Sequence, residues 1–266
     1  MNRKQYDMLY IMTAEDKKNI YMLLKTASSA LCGYVPADFS GPDPVFSADD
    51  AAAQAQSSSV SAGQSECPAH APLTLASVAA KVNACTRCDL HARRLNAVPG
   101  TGCEHPFVLV VGEGPGAEED MQGLPFVGPA GKLLDKMLAA ISLDRHTNCY
   151  IANIVKCRPP NNRTPLPEEA DACISFLEAQ IHILKPKMIL AAGRTAGQNL
   201  LKTQSSLTNL RGRFYDYQGI PLLVTYHPSA LLRDETLKRP AWEDLKLFRA
   251  KLLEIAPGYA GTPQRS

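Results

Sequence analysis

Three stretches of the chain, 113–120, 153–162 and 227–233, concentrate side chains that can move protons, read a polar ligand or hold charge. The first carries Glu113, Glu118, Glu119 and Asp120, the second Asn153, Arg158, Asn162 and Arg163, and the third His227 and Arg233. Carboxylates orient water or steady a cation, and an amide both donates and accepts hydrogen bonds. Imidazole is the side chain whose ordinary pKa lies nearest neutrality. A lone histidine is usually a satisfied core or surface residue, but His227 stands at a strand end and is held by Pro228. Phe126, between Pro125 and Gly128, reads as a presented aromatic or equally as core packing. Cysteines form a fourth group. Cys85-x-x-Cys88, Cys157 and Cys173 supply four thiolates, enough for an iron–sulfur cluster or a tetrahedral zinc. Their spacing does not choose between these, and scattered structural cysteines remain an alternative. Cys32, Cys67, Cys103 and Cys149 read as free thiols.

The elements that must position these residues alternate. The apolar, β-branched run 107–111 predicts a buried strand. A glycine turn, 112–116, and a polar loop follow it, and Pro129 then opens a helix with Leu133, Leu134, Met137, Leu138 and Ile141 on one face. Further strands are expected at 149–155, 187–192, 214–217 and 220–226, with helices from Pro167 and over 242–253. Strands alternating with helices imply a mostly parallel sheet between helical layers. In such a sheet the strand ends share one edge, so the three polar stretches converge where α/β proteins bind ligands. Gly112-x-Gly114-x-x-Ala117 also matches a dinucleotide fingerprint formally. That reading needs a helix at the glycines; Gly123 and Pro125 argue for a loop there, and three acids would repel a pyrophosphate.

Composition is that of a soluble globular protein, with 20% charged and 45% apolar residues and a formal net charge of +2. The charge is unevenly spread. Residues 26–80 hold five acids and no Lys or Arg, whereas 194–251 hold ten Lys or Arg against five acids. A basic folded part suits a polyanionic partner, and equally a solvated surface. The absence of a membrane span or signal-peptide core predicts a cytoplasmic protein with reduced cysteines. We expect four segments: an N-terminal helical segment of unknown role (1–34) that docks an unidentified protein, a flexible linker (35–72), a folded domain (73–256) and a C-terminal tail (257–266).

Taken together, Gly112-Glu113-Gly114-Pro115-Gly116, Glu119-Asp120, Gly123-x-Pro125-Phe126-Val127-Gly128, Asn153-x-x-Lys156-Cys157-Arg158-Pro159-Pro160-x-Asn162-Arg163 and His227-Pro228-Ser229-x-Leu231-Leu232-Arg233 resemble the family 4 uracil-DNA glycosylases over about residues 73–255. The resemblance implies an αβα sandwich with a central, mostly parallel four-stranded sheet. It also implies a 4Fe-4S cluster on Cys85, Cys88, Cys157 and Cys173. The activity implied is hydrolysis of the N-glycosidic bond of a uracil flipped out of DNA. His227 would donate to the developing anion, Phe126 stack on the base and Asn153 read its edge. Glu113 and Asn162 would orient water or steady the sugar cation, and Glu119 would neighbour uracil C5. Gly114 stands where the related family 1 enzymes place an aspartate. Leu231 would wedge into the base stack, while Arg158, Arg163 and Arg233 would hold phosphates. A monomer acting on uracil-containing DNA is expected; a non-catalytic cluster-bearing DNA-binding module of the same fold is the alternative.

Overall fold

The computed structural model describes residues 73–261, and the expected N-terminal segment and linker lie outside them. The sheet has six strands: β1 (Thr101–Gly102), β2 (Val108–Gly112), β3 (Cys149–Asn153), β4 (Met188–Ala192), β5 (Phe214–Tyr217) and β6 (Ile220–Thr225). Their spatial order is β1-β3-β2-β4-β6-β5. The inner four are parallel, and β1 and β5 add an antiparallel strand at either edge. The expected four-stranded sheet is thus the parallel centre of a wider mixed one. Two residues of β1 are too few to leave a periodic signature.

Side chains alternate across the sheet as the pleat requires. Leu109, Val111, Ile189, Ala191, Leu222 and Val224 pack under α4 (Pro167–Leu184) and α5 (Arg194–Leu201). Val108, Val110, Met188, Leu190 and Leu223 pack under α3 (Pro129–Ala139) and α8 (Lys238–Ile255). Three layers result. α1 (Leu75–Asn83) is capped by Thr74 and buries Val78 and Val82 beside α4. Among the described residues no helix is long and apolar enough to cross a membrane.

Four features differ from the sequence reading. The segment expected to be a loop after the glycine turn contains α2 (Ala117–Gln122). Gly123 does end the helix, in left-handed geometry, but only after it has formed. Its three acids sit in the first turn, where the helix dipole favours them. Two helices, α5 and α6 (Leu207–Leu210), were not anticipated, and residues 228–233 form α7 (Pro228–Arg233) rather than a loop. The domain also continues past 256. Tyr259 is fully buried among Ile141, Phe248 and their neighbours, and its hydroxyl donates to the Ile141 carbonyl.

Parallel pairing aligns Gly112 with Asn153, Val111 with Ala191 and Ala192 with Thr225. The residues that follow β2, β3, β4 and β6 therefore emerge along one edge. From β2 the chain turns to β3 on one side and afterwards to β4 on the other, so the β2–β4 boundary is where the strand order reverses.

Candidate active site

A cleft of about 640 Å³ opens at that edge. Glu113, Gly114, Glu119, Phe126, Asn153, Asn162, Arg163, His227 and Arg233 all line it, joined by Arg194 and Thr195 from the first turn of α5. Nine of the eleven residues singled out for catalysis, substrate or DNA therefore meet in one place. Arg158 stands just behind, its Nε donating to Asn162 Oδ1 at 2.8 Å.

Asn153 is the last residue of β3 and only 2% exposed. Its Oδ1 is buried with no hydrogen-bond partner. An orphaned buried acceptor costs about 1–3 kcal/mol, so its retention in a cleft points to a ligand that donates to it. Gly112 makes the room. A Cβ there would lie 2.4 Å from Asn153 Oδ1 and 2.6 Å from the Phe126 ring.

Phe126 is buried with a positive φ of 53°, a conformation unfavourable for an aromatic residue. Its surroundings over-determine it. Arg145 donates to the carbonyls of Pro125 (3.0 Å) and Phe126 (2.9 Å) while paired with Asp135. Glu119 accepts from the N–H groups of Val127 and Gly128 with Oε1 and of Gly116 with Oε2. Glu119 thus faces the cleft, yet both of its oxygens clamp backbone. The same carboxylate fills the N-terminus of α2, which leaves that helix no vacancy for a pyrophosphate.

His227 caps α7, and the Ser229 backbone N–H donates to its Nδ1 at 3.2 Å. A backbone N–H can only donate, so Nδ1 carries no proton and the neutral ring is protonated at Nε2. Burial, reinforced by the charge of Arg233, lowers its pKa to about 4; Glu119 opposes this. At neutral pH the ring is uncharged. It lies 5.5 Å from the Phe126 ring, centroid to centroid, at a tilt of 31°. Glu113 follows β2, and its Oε2 accepts the Thr195 hydroxyl at 2.5 Å.

In the structure without DNA, two residues are placed differently from what their expected roles require. Leu231 is only 2% exposed, on the side of α7 turned into the protein, and cannot enter a base stack without leaving its packing; its neighbour Leu232 is 49% exposed. Arg163 commits both guanidinium arms to Glu169, at 2.8 and 2.6 Å, which holds that carboxyl below its ordinary range. It braces the loop, and its charge is already balanced by a carboxylate, which weakens its pull on a phosphate. Arg194 and Arg233 are exposed cleft residues that form no ion pair among the described residues. Sequence reading missed Arg194, Thr195 and Arg145. Only the position of the first two, after the third parallel strand, could have flagged them.

Cys85, Cys88, Cys157 and Cys173 line a second, narrower cavity with Arg94 and Lys156. Arg94 donates to Cys157 Sγ at 3.0 Å, and the Lys156 backbone N–H to Cys173 Sγ at 3.3 Å. Burial raises the Cys157 thiol and pushes Cys173 up to about 11. Among the described residues no three Cys, His, Asp or Glu side chains are gathered as a metal-binding group. The donor set nevertheless fits a thiolate-held group. It offers four sulfurs, N–H donors directed at two of them, and cations to offset their charge.

Comparison with known proteins agrees with this geometry. A family model described as the uracil DNA glycosylase superfamily matches residues 99–246. The chain is 46% identical over 173 residues to a Type-4 uracil-DNA glycosylase of Thermotoga maritima, covering 64% of this chain and 90% of the relative. It is 44% identical over 174 residues to one from Pyrobaculum aerophilum, covering 62% and 87%. A third, from Archaeoglobus fulgidus, is 39% identical over 181 residues, covering 65% and 90%.

Proposed function

The chain belongs to the type-4 uracil-DNA glycosylases, DNA-repair hydrolases of the uracil N-glycosidic bond, and from that premise we propose how its own residues divide the reaction. The orphaned Asn153 Oδ1 carries the proposal. Uracil presents a donor at N3 and an acceptor at O4, which an amide can meet with its oxygen and nitrogen. Cytosine presents the reverse pattern and would leave both unpaired, a large discrimination for one residue. A uracil inside a duplex is out of reach, so it enters the cleft flipped, at a cost of a few kcal/mol. There it stacks on Phe126.

As the bond between C1′ and N1 breaks, negative charge spreads onto uracil O2 and positive charge onto the sugar. The neutral His227 donates its Nε2–H to O2. Such a donor is worth about 3–4 kcal/mol of barrier when it is held in place beforehand. Ser229 and α7 hold it so. Glu113 directs a water to C1′ and steadies the sugar cation, assisted by Asn162. Glu119 acts through the loop it clamps, fixing Phe126 and closing the C5 side of the pocket against thymine. Arg194 and Arg233 hold phosphates, with Arg158 orienting Asn162, and the exposed Leu232 replaces Leu231 as the side chain that fills the vacated stack.

Cys85, Cys88, Cys157 and Cys173 hold a 4Fe-4S cluster, which ties the entry segment, the loop after β3 and α4 together. Supporting this are the four-thiol cavity, the donors aimed at its sulfurs and the resemblance of these cysteine positions to the type-4 pattern. The deciding assay is single-turnover cleavage of an oligonucleotide carrying one uracil, followed by alkali. Breakage at uracil and not at thymine or cytosine is expected; a cluster-loaded protein that binds DNA without breaking it would refute the proposed chemistry.

A further inference from the structure

Glu113 projects from the end of β2 and Thr195 from the first turn after β4, facing each other across the point where the strand order reverses. Thr195 is 5% exposed, and its hydroxyl donates to Glu113 Oε2 at 2.5 Å, the length of a charge-assisted O–H···O bond. Among the described residues Glu113 Oε2 takes no other donor and Oε1 takes none. One hydroxyl therefore anchors one oxygen of this carboxylate and leaves the second as its open acceptor.

The threonine sits in a helix start that is itself held in place. Its carbonyl accepts from Asn199 Nδ2 at 2.8 Å. Gly193, two residues earlier, has φ 97° and donates to the Thr225 carbonyl at 2.8 Å. A Cβ at Gly193 would lie 3.0 Å from the Cβ of His227, so the start of α5 is seated against the histidine. Glu113 is fixed from the other side, its carbonyl accepting the Val155 N–H at 3.2 Å. We infer that Thr195 is a positioning residue for the reaction: it aims Glu113 at the water and locks that aim to the frame holding His227. The inference rests on the role proposed above for Glu113.

The test compares Thr195→Val, Thr195→Ala and Thr195→Ser with Glu113→Gln and the Thr195→Val/Glu113→Gln double variant, measuring kcat and KM on a uracil oligonucleotide. Loss of a hydrogen bond to a charged group predicts a kcat about tenfold lower for valine and alanine, with KM within about twofold. Serine, which keeps the hydroxyl, should recover most of the rate. The double variant should be no slower than Glu113→Gln alone, because the threonine acts only through the carboxylate. Alanine serves as the second variant if valine crowds the turn. Valine and alanine at the wild-type rate beside a slow Glu113→Gln would overturn the inference and spare the role of Glu113. So would losses that multiply in the double variant, or that fall on KM. Glu113→Gln at the wild-type rate would instead overturn the role of Glu113, and the inference with it.

Discussion

The cleft and the cysteine cavity sit at opposite ends of one short loop, residues 154–157, and burial works on them in opposite ways. Desolvation disfavours whichever form is charged. It therefore lowers His227 to about 4 and raises Cys173 to about 11, leaving both neutral at physiological pH. For His227 the neutral form is the working one, with a donor ready at Nε2 and an acceptor waiting at Asn153. For the cysteines the neutral form is only what precedes loading, since a bound iron–sulfur group requires thiolates. One region is finished without a partner, and the other would be completed by the proposed cluster.

That contrast can be broken most forcefully at His227. Its replacement by alanine should slow single-turnover cleavage about 10²–10³-fold while DNA affinity stays within a few-fold; a rate within tenfold of wild type would remove His227 from the chemistry. At the other end, Cys173→Ala should abolish the visible absorbance of the proposed cluster and lower the melting temperature by roughly 5–15 °C. Its cleavage rate well below that melt should stay within about tenfold of wild type. A hundredfold slower rate in a fully folded Cys173→Ala protein would show that the cysteine region is not merely a tie.

A smaller effect comes from pH. The unfolded His227 titrates at its ordinary 6.5 and the folded one near 4, so the unfolded chain binds the extra proton between these values. Stability should fall as pH drops from 6.5 to 4, by up to about 3 kcal/mol, and this contribution should flatten below 4. Denaturant midpoints of wild type against His227→Gln isolate it; parallel pH curves for the two would contradict the buried neutral ring. Cleavage by the wild type should correspondingly show no loss from this group until well below pH 6. Smallest is the arginine contrast. Arg194→Ala should reduce the slope of log affinity against log salt by about 1. Arg163→Ala should leave that slope alone and instead lower the melting temperature, by leaving the Glu169 carboxylate with only the Leu166 N–H. Equal salt slopes for the two variants would undo the distinction.

How much was legible depended on whether a feature was local. The runs around Val110, Ile151 and Leu190 announce buried strands, and Pro129 and Pro167 announce helix starts, because periodicity and proline act within a few residues. Helix α5 was missed for the opposite reason. Its Gly197 weakens it as an isolated helix, but a Cβ there would stand 2.8 Å from a Val224 methyl, so the glycine serves close packing on β6. α2 leaves little local signature, because Gly123 and Pro125 look like helix breakers in any short window although they merely follow the helix. Tyr259 lies beyond the last periodic helix, and only its contact with Ile141 shows it to be core.

What the sequence determined alone was the cast of the site. Strands ending at Gly112, Asn153 and Thr225 must deliver Glu113, Asn153 and His227 to one edge once they pair in parallel with β4 between them. What the tertiary structure decided was which of these groups remain free to act. It occupied Arg163 with Glu169, turned Leu231 inward, tied Glu119 to backbone, placed the His227 proton on Nε2 and left Asn153 Oδ1 without a partner. Burial and pairing are relations between residues far apart in the chain. They come into existence only when the strands, and the loops they carry, are brought together.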